Sequence, residues 1–598
     1  MAVFLCSSTC TSVLQSICFT FPALSAIFLQ PALTQRLDNP PANRLLRRGY
    51  SRAIVLGHYV YIDGGEVSQL PDGLNPVGPG PVNSTLSIDI SKSWLTSTVE
   101  IKATSKANDG PVPLSDQALW ADPSGNAFYI IGGRAPYSRN ADKITKDGIW
   151  KFTADGMGSG KWEKEEPFNL DIFKSINLIE KAAFATAHGS FGSIGYVIGG
   201  QTSMASDPDI QDGGKGYYIP SPVAISYDIQ TKTLGSLDIR PILPLTTSLF
   251  DSRAIYVPQF GPNGFVFTLG GVKVVPVGRQ NIGISGFLNF NNVTFFDPKT
   301  GQWRSQVTSG VAPEDRETFC VVGVAGQAGT YEMLKKAFDD LFILSLPGFV
   351  WFRADARSSE PRNNHDCVVI GKRQMLVYGG DAFGQKDYLS TKDPFLQGLG
   401  IFDMTELAWD ADGKYNADAE DYRTPKIVED WYRSHNLSDI SWSSNEVRDT
   451  FLANTVDFDK PASTSTSSPS SATASATPAT TNQASSESKV GAIAGGVAGG
   501  VAALAIVAGL AYYFRFKRSK KPPSSGELQA LESGEPKVES EAKKELPTEA
   551  QATELDVPPK ELPSNNETWE LDAASQPREL DITNETYELS SEHQRVTQ

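Results

Sequence analysis

At 598 residues the chain exceeds a usual single domain, and its 52 Gly and 38 Pro, with 10% aromatic and 20% charged residues, describe a turn-rich protein rather than a bundle of long helices. The formal net charge is −16, which offers no general attraction to a phosphate backbone, so no nucleic-acid partner is expected. Much of that charge is local: residues 522–598 hold 18 acidic and 6 basic side chains.

The first 34 residues are apolar to about Ala32 and contain small residues at Ala23, Ser25 and Ala26, the pattern of a cleaved secretory signal. No Lys or Arg precedes the apolar run, and Arg36, Arg44, Arg47 and Arg48 follow it, so an uncleaved anchor of opposite orientation is the alternative. Three of the five cysteines, Cys6, Cys10 and Cys18, fall in this stretch. The remaining two, Cys320 and Cys367, form either one disulfide or two buried thiols. No Cys/His grouping has metal-ligand spacing, and neither a metal nor a cofactor is expected.

Residues 35–460 repeat. Five short apolar strands end in a glycine pair: Gly64–Gly65, Gly132–Gly133, Gly199–Gly200, Gly270–Gly271 and Gly379–Gly380. A second strand follows each after a loop, usually with an aromatic or apolar residue before Asp, and then a Trp: Ile88-Asp89 with Trp94, Phe296-Asp297 with Trp303, and Phe402-Asp403 with Trp409. The third copy has Tyr227-Asp228 and Leu234, and the second has Trp150 and Trp162 without the Asp. A degenerate copy runs from Thr330–Leu334 to Trp351. The glycine pair permits positive φ and close backbone approach, and the Trp supplies apolar area to seal one small sheet on the next. Successive copies lie 45 to 71 residues apart, and the excess length sits mostly between the glycines and the following Asp. Because strands alternate direction, those long loops all emerge on one face, which becomes the expected binding surface.

Three Asn-x-Ser/Thr sequons, at Asn83, Asn292 and Asn436, are expected surface glycosylation sites. Residues 461–489 contain 16 Ser and Thr, the composition of an O-glycosylated stalk or a plain linker. Residues 490–514 carry no charge and are followed by Arg515, Lys517, Arg518, Lys520 and Lys521, which reads as a transmembrane helix with its C-terminal side cytoplasmic. Gly491, Gly495 and Gly499, with Gly496 and Gly500, offer a face for dimerisation of that span. Residues 515–598 read as an acidic, disordered cytoplasmic tail, in which Asn566–Leu571 and Asn584–Leu589 share one pattern around Trp569 and Tyr587, candidate docking residues for a cytoplasmic adaptor.

The glycine-ended strands with their Asp and Trp resemble the kelch motif, and the linked order of signal, repeats, stalk, span and acidic tail is similar to the membrane-anchored kelch proteins of filamentous fungi, as are Asp339–Trp351 and Gly398–Thr405. The resemblance implies an all-β kelch-type β-propeller, six blades favoured and seven possible, displayed at the cell surface and binding an extracellular protein or glycan. Cys320 and Cys367 then occupy equivalent first-strand positions in successive repeats, which argues against a direct bridge. The resemblance also raises a rival, a membrane-anchored sugar isomerase or oxidase. The copper-oxidase variant of the propeller requires a Tyr-His pair, and the chain contains no Tyr-His dipeptide. Arg52, Arg253, Arg316 and Arg362 precede first strands, with His365-Asp366 after one of them; these read as structural, and no catalytic residue is assigned.

Overall fold

The computed structural model describes residues 36–459, apart from 71–76, 107–109, 137–147, 170–178, 208–209, 211–217, 245, 278–280, 338, 359 and 384–388. The expected signal, stalk, transmembrane span and acidic tail, with Trp569 and Tyr587, lie outside the described residues. Among the described residues, no helix is long and apolar enough to cross a membrane.

The described chain is all-β in its core, and six main sheets follow one another along it, antiparallel except where Ser309–Gly310 joins the fifth in parallel with Val350–Arg353. Sheet one uses Arg52–Leu56, Tyr59–Asp63, Ser84–Asp89 and Ile101–Ser105. Sheets two to six begin with Ala118–Ala121, Ala183–Gly189, Arg253–Val257, Cys320–Ala325 and Asp366–Ile370. The glycine-ended segments are the second strands, such as Ala127–Ile131, Phe265–Leu269 and Gln374–Tyr378, and every residue of these three is buried. They are apolar on both faces because each sheet is covered by a neighbour on either side. Outer strands such as Gly160–Glu165 have one wet face and alternate accordingly.

Six residues, one just before each first strand, form a closed backbone circuit. Tyr50, Asp116, Lys181, Asp251, Thr318 and Asn364 all have φ between 51° and 63°. Each donates its N–H to the carbonyl of the corresponding residue in the preceding sheet: Tyr50 to Asn364 (3.0 Å), Asp116 to Tyr50 (3.0 Å), Lys181 to Asp116 (3.4 Å), Asp251 to Lys181 (2.9 Å), Thr318 to Asp251 (3.3 Å) and Asn364 to Thr318 (3.2 Å). Asp116, Asp251 and Asn364 are types that reach left-handed backbone readily, whereas Tyr50, Lys181 and above all β-branched Thr318 are held there by the surrounding structure. It satisfies six backbone N–H groups at the crowded axis, where no strand partner is within reach.

The glycine pairs end beside this ring. A Cβ on Gly64 would lie 2.4 Å from the Leu114 carbonyl oxygen, and one on Gly65 would lie 2.5 Å from that of Gly49, so only glycine fits at either place. Beyond the glycines, the long loops are partly strands themselves. Glu66–Gln69 pairs with Leu45–Gly49 and Val77–Pro81, Val272–Val277 with Ser248–Phe250 and Asn281–Phe287, and Gln201–Ser203 with Tyr218–Pro220. The expected loop face is therefore braced by short sheets. Sheet five departs from the rest, since its second strand Tyr331–Ala337 passes directly into Asp340–Leu346.

The tryptophans lie between sheets. Trp303 packs with the core of sheet three and donates Nε1–H to the Asp238 carbonyl (2.8 Å), while Trp351 packs on sheet four and donates to that of Phe290 (3.0 Å). Trp409 packs on sheet five and Trp94 on sheet six, each sheet thereby covering the one before it. In sheet two Trp162 does the same on sheet one, donating to Thr85 Oγ1 (3.0 Å), and in sheet three Leu234 packs into sheet two.

Cys320 and Cys367 are disulfide-bonded, with Cα atoms 5.7 Å apart, which corrects the expectation of non-converging side chains. The two positions are not equivalent. Asp366, not Cys367, opens the first strand of sheet six as Cys320 opens that of sheet five, and this offset of one residue turns the side chains to opposite faces. Cys320, Val322 and Val324 pack against Cys367 and Val369 in one core, whereas Val368 and Ile370 face sheet one.

Residues 416–459 add two helices that the sequence reading did not anticipate, α1 (Lys426–Ser434) and α2 (Asn445–Leu452). Ser444 caps α2 by accepting from the Val447 N–H (3.2 Å). Val447 and Phe451 join the core of sheets four and five, and Val428 and Tyr432 that of sheets five and six. The segment covers the end opposite the ring: Asp457 donates its N–H to the Ala328 carbonyl (3.2 Å) in the first turn of sheet five, and Asn454 Nδ2 to that of Gln259 (2.8 Å) in sheet four.

Under this clamp, buried Glu332 accepts from Tyr422 (3.2 Å) and from Ser345 (3.3 Å), and Ser345 contacts Tyr432 (3.1 Å). Burial pushes the Glu332 carboxyl up to about 7 despite these hydrogen bonds. A carboxyl raised on folding holds its proton longer than in the unfolded chain, so its contribution to stability falls as pH rises from about 4.5 to 7. Glu332→Gln is therefore expected to gain roughly 2 kcal/mol over the parent between pH 5 and pH 8. Parallel denaturant titrations at the two pH values check this; a pH-independent difference sinks it.

Candidate ligand-binding mouth

The ring closes one end of the central channel, and charged side chains crowd around it because the residue after each glycine pair is set beside it. Arg134, directly after Gly132–Gly133, donates from Nε to Asp116 Oδ2 (2.8 Å) and lies 3.5 Å from Glu66 and 3.8 Å from Glu180. Its guanidinium rests 4.7 Å above the Tyr50 ring. Lys181 Nζ pairs with Asp251 (3.0 Å) over the Phe250 ring. Asp381, after Gly379–Gly380, accepts at Oδ2 from the Tyr50 hydroxyl (3.0 Å) and Asn364 Nδ2 (2.8 Å). Gln201, after Gly199–Gly200, donates to Glu180 (3.0 Å).

Burial and unequal pairing spread the affinities of these carboxyls for protons. Burial opposes ionisation of Asp116, but Arg134, Lys181 and Arg52 outweigh it and hold the group below the usual carboxylate range. Burial wins at Glu180 and Asp381, and at Glu317, where Asp251 adds repulsion; all three are raised. Lys181, its side chain 20% exposed, is the cation shared among these groups.

The arginines singled out before the first strands are engaged structurally. Arg52 donates to the Gln117 carbonyl (2.9 Å), Arg253 to that of Ser252 (3.0 Å), Arg316 pairs with Asp340 (2.6 Å), and Arg362 pairs with Asp393 (3.0 Å) over the Phe395 ring. His365 is 1% exposed, and burial together with Lys336, Arg362 and Arg253 keeps it neutral. It does not join the carboxylates of the mouth in an open pocket. A cavity of about 210 Å³ lies elsewhere, over sheet five, lined by Asp340, Arg353, Ala354, Asp355 and Arg357. Among the described residues, no group of His, Cys, Asp and Glu has the arrangement to hold a metal ion.

No protein-family model matches the chain. Among curated proteins, a kelch repeat-containing protein of Arthroderma benhamiae (strain ATCC MYA-4681 / CBS 112371) is 24% identical over 422 residues, which are 62% of this chain and 58% of that protein. This chain is similar to a kelch repeat-containing protein. That similarity supports the kelch family and, with the repeated sheets, a kelch-type β-propeller. The alignment leaves more than a third of the relative's length unmatched. Among solved structures, that of YjhT aligns at 11% identity with a TM-score of 0.38, covering 62% of this chain and 98% of that one.

In kelch terms, the glycine pairs and tryptophans are repeat residues, and the mouth is built by positions beside them that carry no repeat signature. Tyr50, Asp116, Lys181, Asp251, Thr318 and Asn364 have no one residue type in common, only the two aspartates matching, so residue identity does not reveal their shared role. Their signal was positional, two residues before each first strand. The three sequon asparagines, Asn83, Asn292 and Asn436, are exposed.

Proposed function

We propose that this protein is a six-bladed kelch propeller displayed at the cell surface by a single span, binding an extracellular protein partner, or a glycan, through the face around the mouth. The observation that carries this reading is the polarity of the domain. The long, strand-braced loops gather beside the ring, while the segment leading to residue 460 covers the opposite end. A tether rooted there leaves the loop face free to meet a partner. Six four- or five-stranded sheets and a six-membered backbone circuit support the blade number. The Gly-rich span and the tail residues Trp569 and Tyr587 are the corresponding candidates for dimerisation and adaptor docking.

Cells displaying the full chain, probed against arrays of secreted proteins and glycans, test the reading. Retention of an unchanged ligand that is lost on replacing the hairpin at 272–287 by a short turn supports it. Chemical conversion of the ligand would instead support the rival carbohydrate-active enzyme.

A further inference from the structure

The mouth brings six carboxylates, Glu66, Asp116, Glu180, Asp251, Glu317 and Asp381, round four cations, Arg134, Lys181, Arg52 and Arg253. Most of these acids are nearly inaccessible, and charge buried in excess of its partners is costly, so a site of this composition favours an added positive group. A second observation concerns hydrogen bonding. Asp381 is 4% exposed and its Oδ2 is fixed to two ring residues, yet Oδ1 has no hydrogen-bond donor among the described residues. Gln201, also buried, has its Nε2 committed to Glu180 and its Oε1 likewise without a donor. Both side chains belong to the position after a glycine pair, from which Arg134 demonstrably reaches into the ring. Two buried acceptors without donors, beside an excess of negative charge, specify what is complementary: a cation bearing several N–H groups.

We propose that the mouth receives a basic side chain, a lysine ammonium or arginine guanidinium, presented by the protein partner. This deepens the binding reading above and rests on it for the partner. Asp381 accepts its N–H groups, and Glu317, the most accessible of the acids, meets it at entry. Lys181 is the resident cation with which the incoming group competes.

The test uses the full chain and two probes: a fluorescent Gly-Ser-Arg-Ser-Gly peptide, and free spermidine as competitor. The peptide is expected to bind, and Asp381→Asn to weaken it about tenfold or more, the effect of losing one charge-assisted hydrogen bond. Lys181→Met removes the resident cation and is expected to tighten binding, an outcome that misfolding does not produce. The corresponding Gly-Ser-Glu-Ser-Gly peptide is expected not to bind. Unchanged peptide affinity in both variants overturns the proposal, as does equal binding of the acidic peptide. Displacement by spermidine at concentrations far below those of the peptide would overturn the assignment to a protein side chain in favour of a free polyamine. If the arrays yield a partner that Asp381→Asn does not affect, the mouth assignment fails while the binding function stands. If no partner is found but the peptide behaves as expected, the function reading fails and the cation site stands.

Discussion

Replacing Arg134 by Met is expected to lower the unfolding free energy by about 3–5 kcal/mol, the cost typical of removing one partner from a buried ionic cluster. Asp116 loses its 2.8 Å hydrogen bond, Glu66 and Glu180 lose a cation 3.5 and 3.8 Å away, and the Tyr50 ring loses the charge above it. The desolvation already paid by those carboxylates is then uncompensated. The sign with pH follows. Without Arg134, the folded-state affinities of Asp116 and Glu180 for protons rise, so the folded protein binds more protons than the unfolded chain, and the variant loses stability as pH increases. The deficit should therefore be larger at pH 8 than at pH 5, whereas a simple packing defect is the same at both. Arg134→Lys should recover only part of it, because an ammonium cannot reproduce the planar fork that spans three acids. Urea titrations of the three proteins at both pH values decide the matter. A loss below about 1 kcal/mol would mean that the cluster contributes little net stability.

The second large effect is expected at the Cys320–Cys367 bridge. It joins blades five and six across 47 residues of sequence, and closing a loop of that length is worth about 2–4 kcal/mol through the unfolded state. It acts where the ring is thinnest, since the outer strand of blade six is only Ala408–Trp409, and blade six meets blade one at its rim through Lys414–Tyr415 paired with Trp94–Leu95. The double variant Cys320→Ala, Cys367→Ala should unfold at lower denaturant, and the parent should show a mass increase on reduction that the variant lacks. Each single variant should cost as much as the double, because either abolishes the bond. Additive single effects, or no mass change in the parent, would sink the assignment.

The repeated strands were legible because their physics is local. Gly64–Gly65 and its four counterparts announce a strand end where a Cβ would strike backbone, and Trp94, Trp303, Trp351 and Trp409 announce large apolar faces in need of a neighbour. The degenerate fifth copy was recognised from the same pattern despite lacking the glycines. The residues after Trp409, which become the α1–α2 clamp, carry neither the glycine pair nor the Asp-Trp pattern of the repeat. Their helices owe their place to cores formed by blades four to six, which no local periodicity reveals.

By itself, then, the sequence determined the repeat, the all-β class, the end on which the long loops gather and the acidity of the tail, since each follows from residue type and spacing along one strand or loop. Only the tertiary structure decided that Cys320 and Cys367 converge, that six dissimilar residues form one hydrogen-bonded ring, and that Arg134 gathers acids from three blades. These depend on face and register between segments tens of residues apart, where a shift of one position reverses a side chain. Such a shift leaves composition and spacing almost unchanged.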